Sequence, residues 1–172
     1  VKKIKCTLGT LKNAISEIDA YQKEIDRKNK EFLYRLALIG GKEASVRFSQ
    51  AMYAGLNDVK VSVEEIENGY AIIANGSAVG FIEFGTATRH ENYPNDSLFT
   101  PPPHGSYGKG QGDSSKYPNG WVYRGEQGNA GRPIRDNLYR TYGNPPARAL
   151  YDSGKTMREE ILKIAKEVFG ND

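Results

Sequence analysis

The sequence predicts one α+β domain over residues 1–172: a long N-terminal helix, a small antiparallel β-sheet, a long loop-rich insertion and a C-terminal amphipathic helix packed on the sheet. Three observations predict it. Apolar residues recur in steps of four and three from Leu11 to Ile39, the signature of a helix face. An alternating run, Val59–Val63, and an apolar returning strand, Tyr70–Ala74, flank an Asn-Gly pair, the signature of a hairpin. A second helical stripe, Leu150, Met157, Ile161, Ile164 and Val168, closes the chain.

Residues 10–54 form the helical N-terminal part. Leu11, Ile15, Ile18, Gln22, Ile25, Asn29, Phe32, Leu36 and Ile39 make a heptad seam with two polar members. Lys23, Glu24, Asp26, Arg27, Lys28, Lys30 and Glu31 cover the other faces. Thr10 or Gly9 is placed to cap the start, and Gly40-Gly41 to end or kink the helix. A shorter helix then spans Lys42–Tyr53, with Ala44, Val46, Phe48, Ala51 and Met52 on its apolar side and Gly55 as C-cap. A helix of about 30 residues is about 45 Å long, more than the core of a small domain. Part of the seam therefore needs a partner beyond the chain's own sheet, and the rest is expected to curve over that sheet and pair with the C-terminal helix.

Residues 58–84 read as a β-meander. Val59, Val61 and Val63 alternate with polar residues, and Asn68-Gly69 supplies a type I′ turn before Tyr70–Ala74 returns. Asn75-Gly76 repeats the turn signal ahead of a third extended or short helical piece, Val79–Phe84. Residues 85–144 change character: Gly, Pro, Asn, Ser and Tyr dominate, and Pro101-Pro102-Pro103, Tyr107–Gly112 and Gly125–Gly131 cannot form regular elements. Trp121-Val122-Tyr123 is a candidate short strand. This segment is expected to be an inserted arm that orders against neighbouring subunits. Pro145 and Pro146 suit the first turn of the last helix, 145–169, which Gly170 stops, and Gly154 on its apolar side invites close approach of another element.

Composition narrows the function. The formal charge is +3 and the pI about 8.8, mildly basic and far from a nucleic-acid-coating balance. One cysteine, Cys6, rules out an internal disulfide and leaves no zinc spacing. No apolar run approaches the roughly 20 residues that span a bilayer, and Val1–Lys5 is basic without a signal-peptide core behind it. The expectation is a protein soluble and intracellular when made, with no membrane partner.

Catalytic signatures are missing. His90 and His104 lie in the loop-rich segment, and Thr88-Arg89-His90-Glu91 lacks the i, i+4 geometry of helical zinc sites. A metal-dependent hydrolase would need the two histidines to converge. Tyr107–Gly112 resembles a phosphate loop but has no Gly-Lys-Ser/Thr ending and no helix directly behind it. Glu64-Glu65 and Glu159-Glu160 sit on charged, solvent-facing turns. No catalytic residue, metal ligand or cofactor is assigned. Two readings compete for the cations Lys109, Lys116, Arg124, Arg132, Arg135, Arg140 and Arg148, interleaved with Tyr107, Tyr117, Trp121, Tyr123, Tyr139 and Tyr142. Stacking aromatics beside cations suit single-stranded nucleic acid. Arg, Tyr and Trp are also what protein interfaces concentrate, and the modest charge favours that reading.

Gly80-Phe81-Ile82-Glu83-Phe84-Gly85-Thr86 and Asn144-Pro145-Pro146-Ala147-Arg148-Ala149-Leu150-Tyr151 resemble, in order and motif, a family of small structural proteins of long-tailed bacteriophages. Its members are described as minor tail, neck or tail-completion proteins: a Glu-Phe-Gly-Thr motif after a short sheet, a variable Gly/Pro-rich insertion, then a Pro-Ala-Arg-Pro-like lead-in to an amphipathic helix. The likeness covers about two thirds of the chain; the insertion and the N-terminal helix are longer here than the pattern. It implies a non-enzymatic virion subunit at the head–tail junction, made in the host cytoplasm. Such a subunit forms a ring with copies of itself and touches head-completion or connector proteins and the tail terminator or tail tube; the rival reading is a DNA-contacting protein of the same neck that uses the Arg/Tyr-rich loop on DNA in the channel. The matching positions, Glu83, Phe84, Gly85, Thr86, Pro146, Ala147 and Arg148, are expected to be structural: Gly85 for backbone freedom, Phe84 for the core, and Glu83 paired with Arg148.

Overall fold

A capping box begins the first helix. The Thr7 hydroxyl accepts from the Thr10 amide at 3.3 Å while the Thr10 hydroxyl accepts from the Thr7 amide at 3.0 Å, so Thr7, not Thr10 or Gly9, sets the start. The structure, a computed structural model, describes residues 7–85 and 120–170. Helix α1 runs unbroken over Leu8–Gln50, straight through Gly40-Gly41, where two helices were expected. The glycines are tolerated because they are buried contact points. A Cβ on Gly40 would lie 2.6 Å from Ile72 Cδ1 and from Met157 Sδ, and one on Gly41 would lie 2.7 Å from Val63 Cγ2. Each glycine costs about 1 kcal/mol of helix propensity, offset by the close approach it permits. The helix ends at Gln50, with Ala51 as an extended C-cap rather than Gly55.

Strands β1 (Lys60–Ile66) and β2 (Gly69–Asn75) pair antiparallel with Ile66 opposite Gly69. The two-residue loop is therefore Glu67-Asn68, one residue earlier than expected, and neither residue has positive φ. The meander stops there, because Val79–Phe84 is a short helix, α2. The Asp58 carboxylate accepts from the Ser77 amide (2.7 Å), the Ser77 hydroxyl (2.8 Å) and the Ala78 amide (3.0 Å), which turns the chain into α2 instead of a third strand.

Part of the expected insertion is a second sheet. Strands β3 (Trp121–Arg124), β4 (Arg132–Arg135) and β5 (Leu138–Thr141) form an antiparallel sheet in the order β3-β5-β4. Pro133 sits on an edge strand, where its missing N–H does no harm, and Asn137 takes the left-handed turn conformation (φ 55°). The loop between β3 and β4 plugs onto the end of α1. The Gly128 amide donates to the Ala54 carbonyl (2.8 Å), and Asn129 bridges the Tyr53 amide (2.7 Å) and Ala51 carbonyl (2.9 Å).

Helix α3 (Ala149–Phe169) returns antiparallel along α1. Phe32 meets Phe169 at 5.9 Å, and Arg47 pairs with Asp152 at 2.7 Å. It also reaches the hairpin at Gly40, where Met157 and Ile72 converge. The core lies at the C-terminal end of α1: Phe48, Ala51, Ala78, Ile82 and Ala149, flanked by Val59, Val61, Ala74 and Leu150. Pro145 and Pro146 precede α3 rather than forming its first turn, since Arg148 occupies the N-cap. Gly154 makes no close approach; a Cβ there would meet nothing within 4 Å. Lys28, expected on a solvated face, is 7% exposed.

Candidate functional site

The two halves of the family-like motif dock on each other. Arg148 has φ 53° and ψ 33° and offers no side-chain cap to α3. The cap comes from Glu83, which is 2% exposed: its carboxylate accepts the amides of Leu150 (3.0 Å) and Tyr151 (3.2 Å). A carboxylate here satisfies two of the orphan amides of the helix and complements its dipole. Backbone bonds complete the joint, Ala147 amide to Ile82 carbonyl (2.8 Å) and Arg148 amide to Glu83 carbonyl (3.2 Å). Asn144, buried, donates to the Phe81 carbonyl at 3.0 Å. Gly85 has φ 75°, and a Cβ there would strike the Pro146 nitrogen at 2.7 Å.

The structural role expected of these residues thus takes a different form. Glu83 binds backbone amides, while the Arg148 guanidinium pairs with Asp152 (3.4 Å) and lies over the Tyr151 ring (4.8 Å). Phe84 is 42% exposed and is not a core residue; Ile82, fully buried, takes that place because α2 turns residue 82 inward and residue 84 outward. Thr86 lies outside the described residues, as do Tyr107, Tyr117, Lys109, Lys116, His90, His104 and Cys6. The sequence did carry a hint of the cap: Ala147-Arg148-Ala149 provides no Ser, Thr, Asp or Asn ahead of the helix, so an acceptor had to come from elsewhere.

Among the described residues two apolar surfaces stand out as exposed. The first is the N-terminal half of α1. Leu11, Ile15 and Ile18 of the seam are exposed, with Leu8 at 78% and Tyr21 at 69%, because α3 ends opposite Phe32. The second is a groove of about 490 Å³ between α1, β2 and α3, lined by Leu33, Leu36, Tyr70, Ile72, Leu150, Met157 and Ile161, with Gly154 and Arg158 among its polar and backbone edges. Of the remaining candidate interface residues, Trp121, Tyr123 and Tyr139 are half-buried. Tyr123 stacks on Tyr139 at 5.5 Å, and its hydroxyl donates to the Ala54 carbonyl. Arg124, Arg132 and Arg135 are exposed on the second sheet, and half-buried Tyr142 lies under Arg132 at 5.5 Å.

Among the described residues no three His, Cys, Asp or Glu side chains group to hold a metal ion, and no helix is long and apolar enough to cross a membrane. No protein-family profile, curated protein or solved structure matches the chain.

Proposed function

We propose that the chain is a structural assembly subunit of the head–tail junction of a long-tailed bacteriophage, a neck or tail-completion protein that joins copies of itself into a ring. The resemblance of the Glu83–Thr86 and Pro146–Arg148 motifs supplies the phage context. One observation carries the self-assembly: an apolar helical arm and an apolar groove coexist on one molecule and cannot meet within it. Leu33 and Leu36 of the groove lie on the same continuous helix as Leu11 and Ile18, on the order of 20–40 Å further along its axis. An arm that fits the groove of the next copy makes a heterologous contact, and such contacts close into rings when the rotation allows. Head-completion or connector proteins on one side and tail terminator or tube proteins on the other are the neighbours this role requires.

Light scattering across a dilution series tests the reading. A single defined multimer is expected, and the triple variant Leu11→Ser/Ile15→Ser/Ile18→Ser is expected to be a folded monomer. A wild-type protein that stays monomeric at every concentration removes self-assembly, as does a triple variant that keeps the multimer.

A further inference from the structure

The second sheet sorts its side chains by face. Trp121 pairs with Thr141 and Tyr123 with Tyr139, so these share one face; Val122 pairs with Arg140, Arg124 with Leu138, Arg132 with Arg140 and, past a register shift between Pro133 and Arg135, Arg135 with Leu138, so these share the other. The result is one sheet face carrying four exposed arginines, Arg124, Arg132, Arg135 and Arg140. Among the described residues no ion pair engages any of them. Glu126 and Asp136 are the only acids in residues 120–144. Neighbouring strands lie about 5 Å apart and alternate residues along a strand about 7 Å apart, so the guanidinium groups fall within one small patch. Arg132 directly opposite Arg140 is unfavourable for the sheet by itself; an anionic ligand offsets that repulsion.

We propose that this arginine face binds the phosphate backbone of duplex DNA without reading its sequence. Guanidinium forks match phosphate oxygens in pairs. Single-strand binding needs open aromatic faces for stacking, yet the sheet turns Trp121, Tyr123 and Tyr139 to the opposite side, and Tyr142 is already covered by Arg132. A protein partner would favour an apolar centre depleted of charge, and here the central strand sets Arg140 beside Leu138 with arginines on both flanking strands. The choice of DNA among duplex nucleic acids rests on the head–tail reading above; the phosphate chemistry does not.

Fluorescence anisotropy of a short labelled duplex, titrated with the full chain at several salt concentrations, tests the proposal. Four phosphate contacts predict a log–log slope near −3.6, roughly a 150-fold loss of affinity between 50 and 200 mM salt. The double variant Arg132→Gln/Arg140→Gln, melting like wild type and measured in the same oligomeric state, is expected to show about half that slope. If that pair disturbs the sheet, Arg124→Gln/Arg135→Gln carries the same expectation. Absence of duplex binding at low salt, or an unchanged slope in the folded variants, overturns the proposal. So does tighter binding of the matching single strand, or of poly-glutamate, which would hand the face to an acidic protein surface. The two readings fail separately: a monomer that binds duplex loses the ring, and a ring that ignores duplex loses this face.

Discussion

The two halves of α1 invert the usual relation between side-chain size and burial. The C-terminal half is buried through Ala37, Gly40, Gly41, Ala44 and Phe48, mostly small residues. The N-terminal half exposes Leu8, Leu11, Ile15, Ile18 and Tyr21. Small residues serve the packed half because the hairpin and α3 press against the helix backbone, and a larger side chain would hold them off. Among the described residues the N-terminal half has no such neighbour. Its large apolar groups are the kind that stabilise contacts between molecules, and its helicity is propagated from the packed half, since a segment of that length is marginal alone.

Substitutions break or sharpen this contrast, the strongest in the packed half. Gly41→Val drives two methyl groups toward Val63, itself a stiff side chain, and should lower stability by about 2 kcal/mol, read as a fall in the urea midpoint at fixed protein concentration. In the monomeric Leu11→Ser/Ile15→Ser/Ile18→Ser background, Gly154→Ala should do the reverse, raising stability by about 1 kcal/mol, because the groove beside it is open in the single chain. In the multimer the gain should shrink, since a neighbour's arm then occupies the groove; an equal gain in both would separate the groove from the assembly contact. In the free half, the serine substitutions that disperse the multimer should each change monomer stability by no more than about 0.5 kcal/mol; a larger loss would show that the arm packs on its own chain.

The mildest effect is pH-dependent and belongs to the packed end. Donation by the Ser77 amide, then the Ala78 amide and the Ser77 hydroxyl, holds the Asp58 carboxyl at about 2, below its ordinary 3.8. Folding therefore favours the ionised form, so the stabilisation is complete above 3.8 and is lost as pH falls through about 2. The gap in melting temperature between wild type and Asp58→Asn should be full at neutral pH and close across that window. A gap that persists at the acid end would assign the effect to something other than charge.

Much of this architecture is legible in the residues, and the misreadings share a cause. The heptad seam, the first hairpin and the C-terminal stripe are local periodicities, and each became an element. Gly40-Gly41 read as a break because a glycine that ends a helix and one that admits a neighbour look alike until the neighbour is known; here Ile72, Val63 and Met157 arrive from elsewhere in the chain. Val79–Phe84 became helical through Asp58, a residue outside the segment. In the second sheet, four-residue strands interrupted by Gly and Pro give a weak signal. The interleaved arginines and aromatics read as one mixed surface, though strand alternation and a register shift between Pro133 and Arg135 turn Trp121, Tyr123 and Tyr139 away from the arginines. Glu83 lies beside the lead-in to α3, as the paired motifs suggest, but it meets the amides of Leu150 and Tyr151, and backbone amides leave no mark on the sequence.

Gly85 abuts Asn144 and Pro146, while Gly120 abuts Thr141 and Tyr142. Both glycines thus meet one short stretch of backbone, residues 141–146, like two stitches set side by side in one seam. A connection between ends held this close rises in entropic cost by only about 0.6 kcal/mol for each doubling of its length. The distance along the chain from Gly85 to Gly120 is therefore inexpensive to alter, while the backbone that holds the two glycines is not.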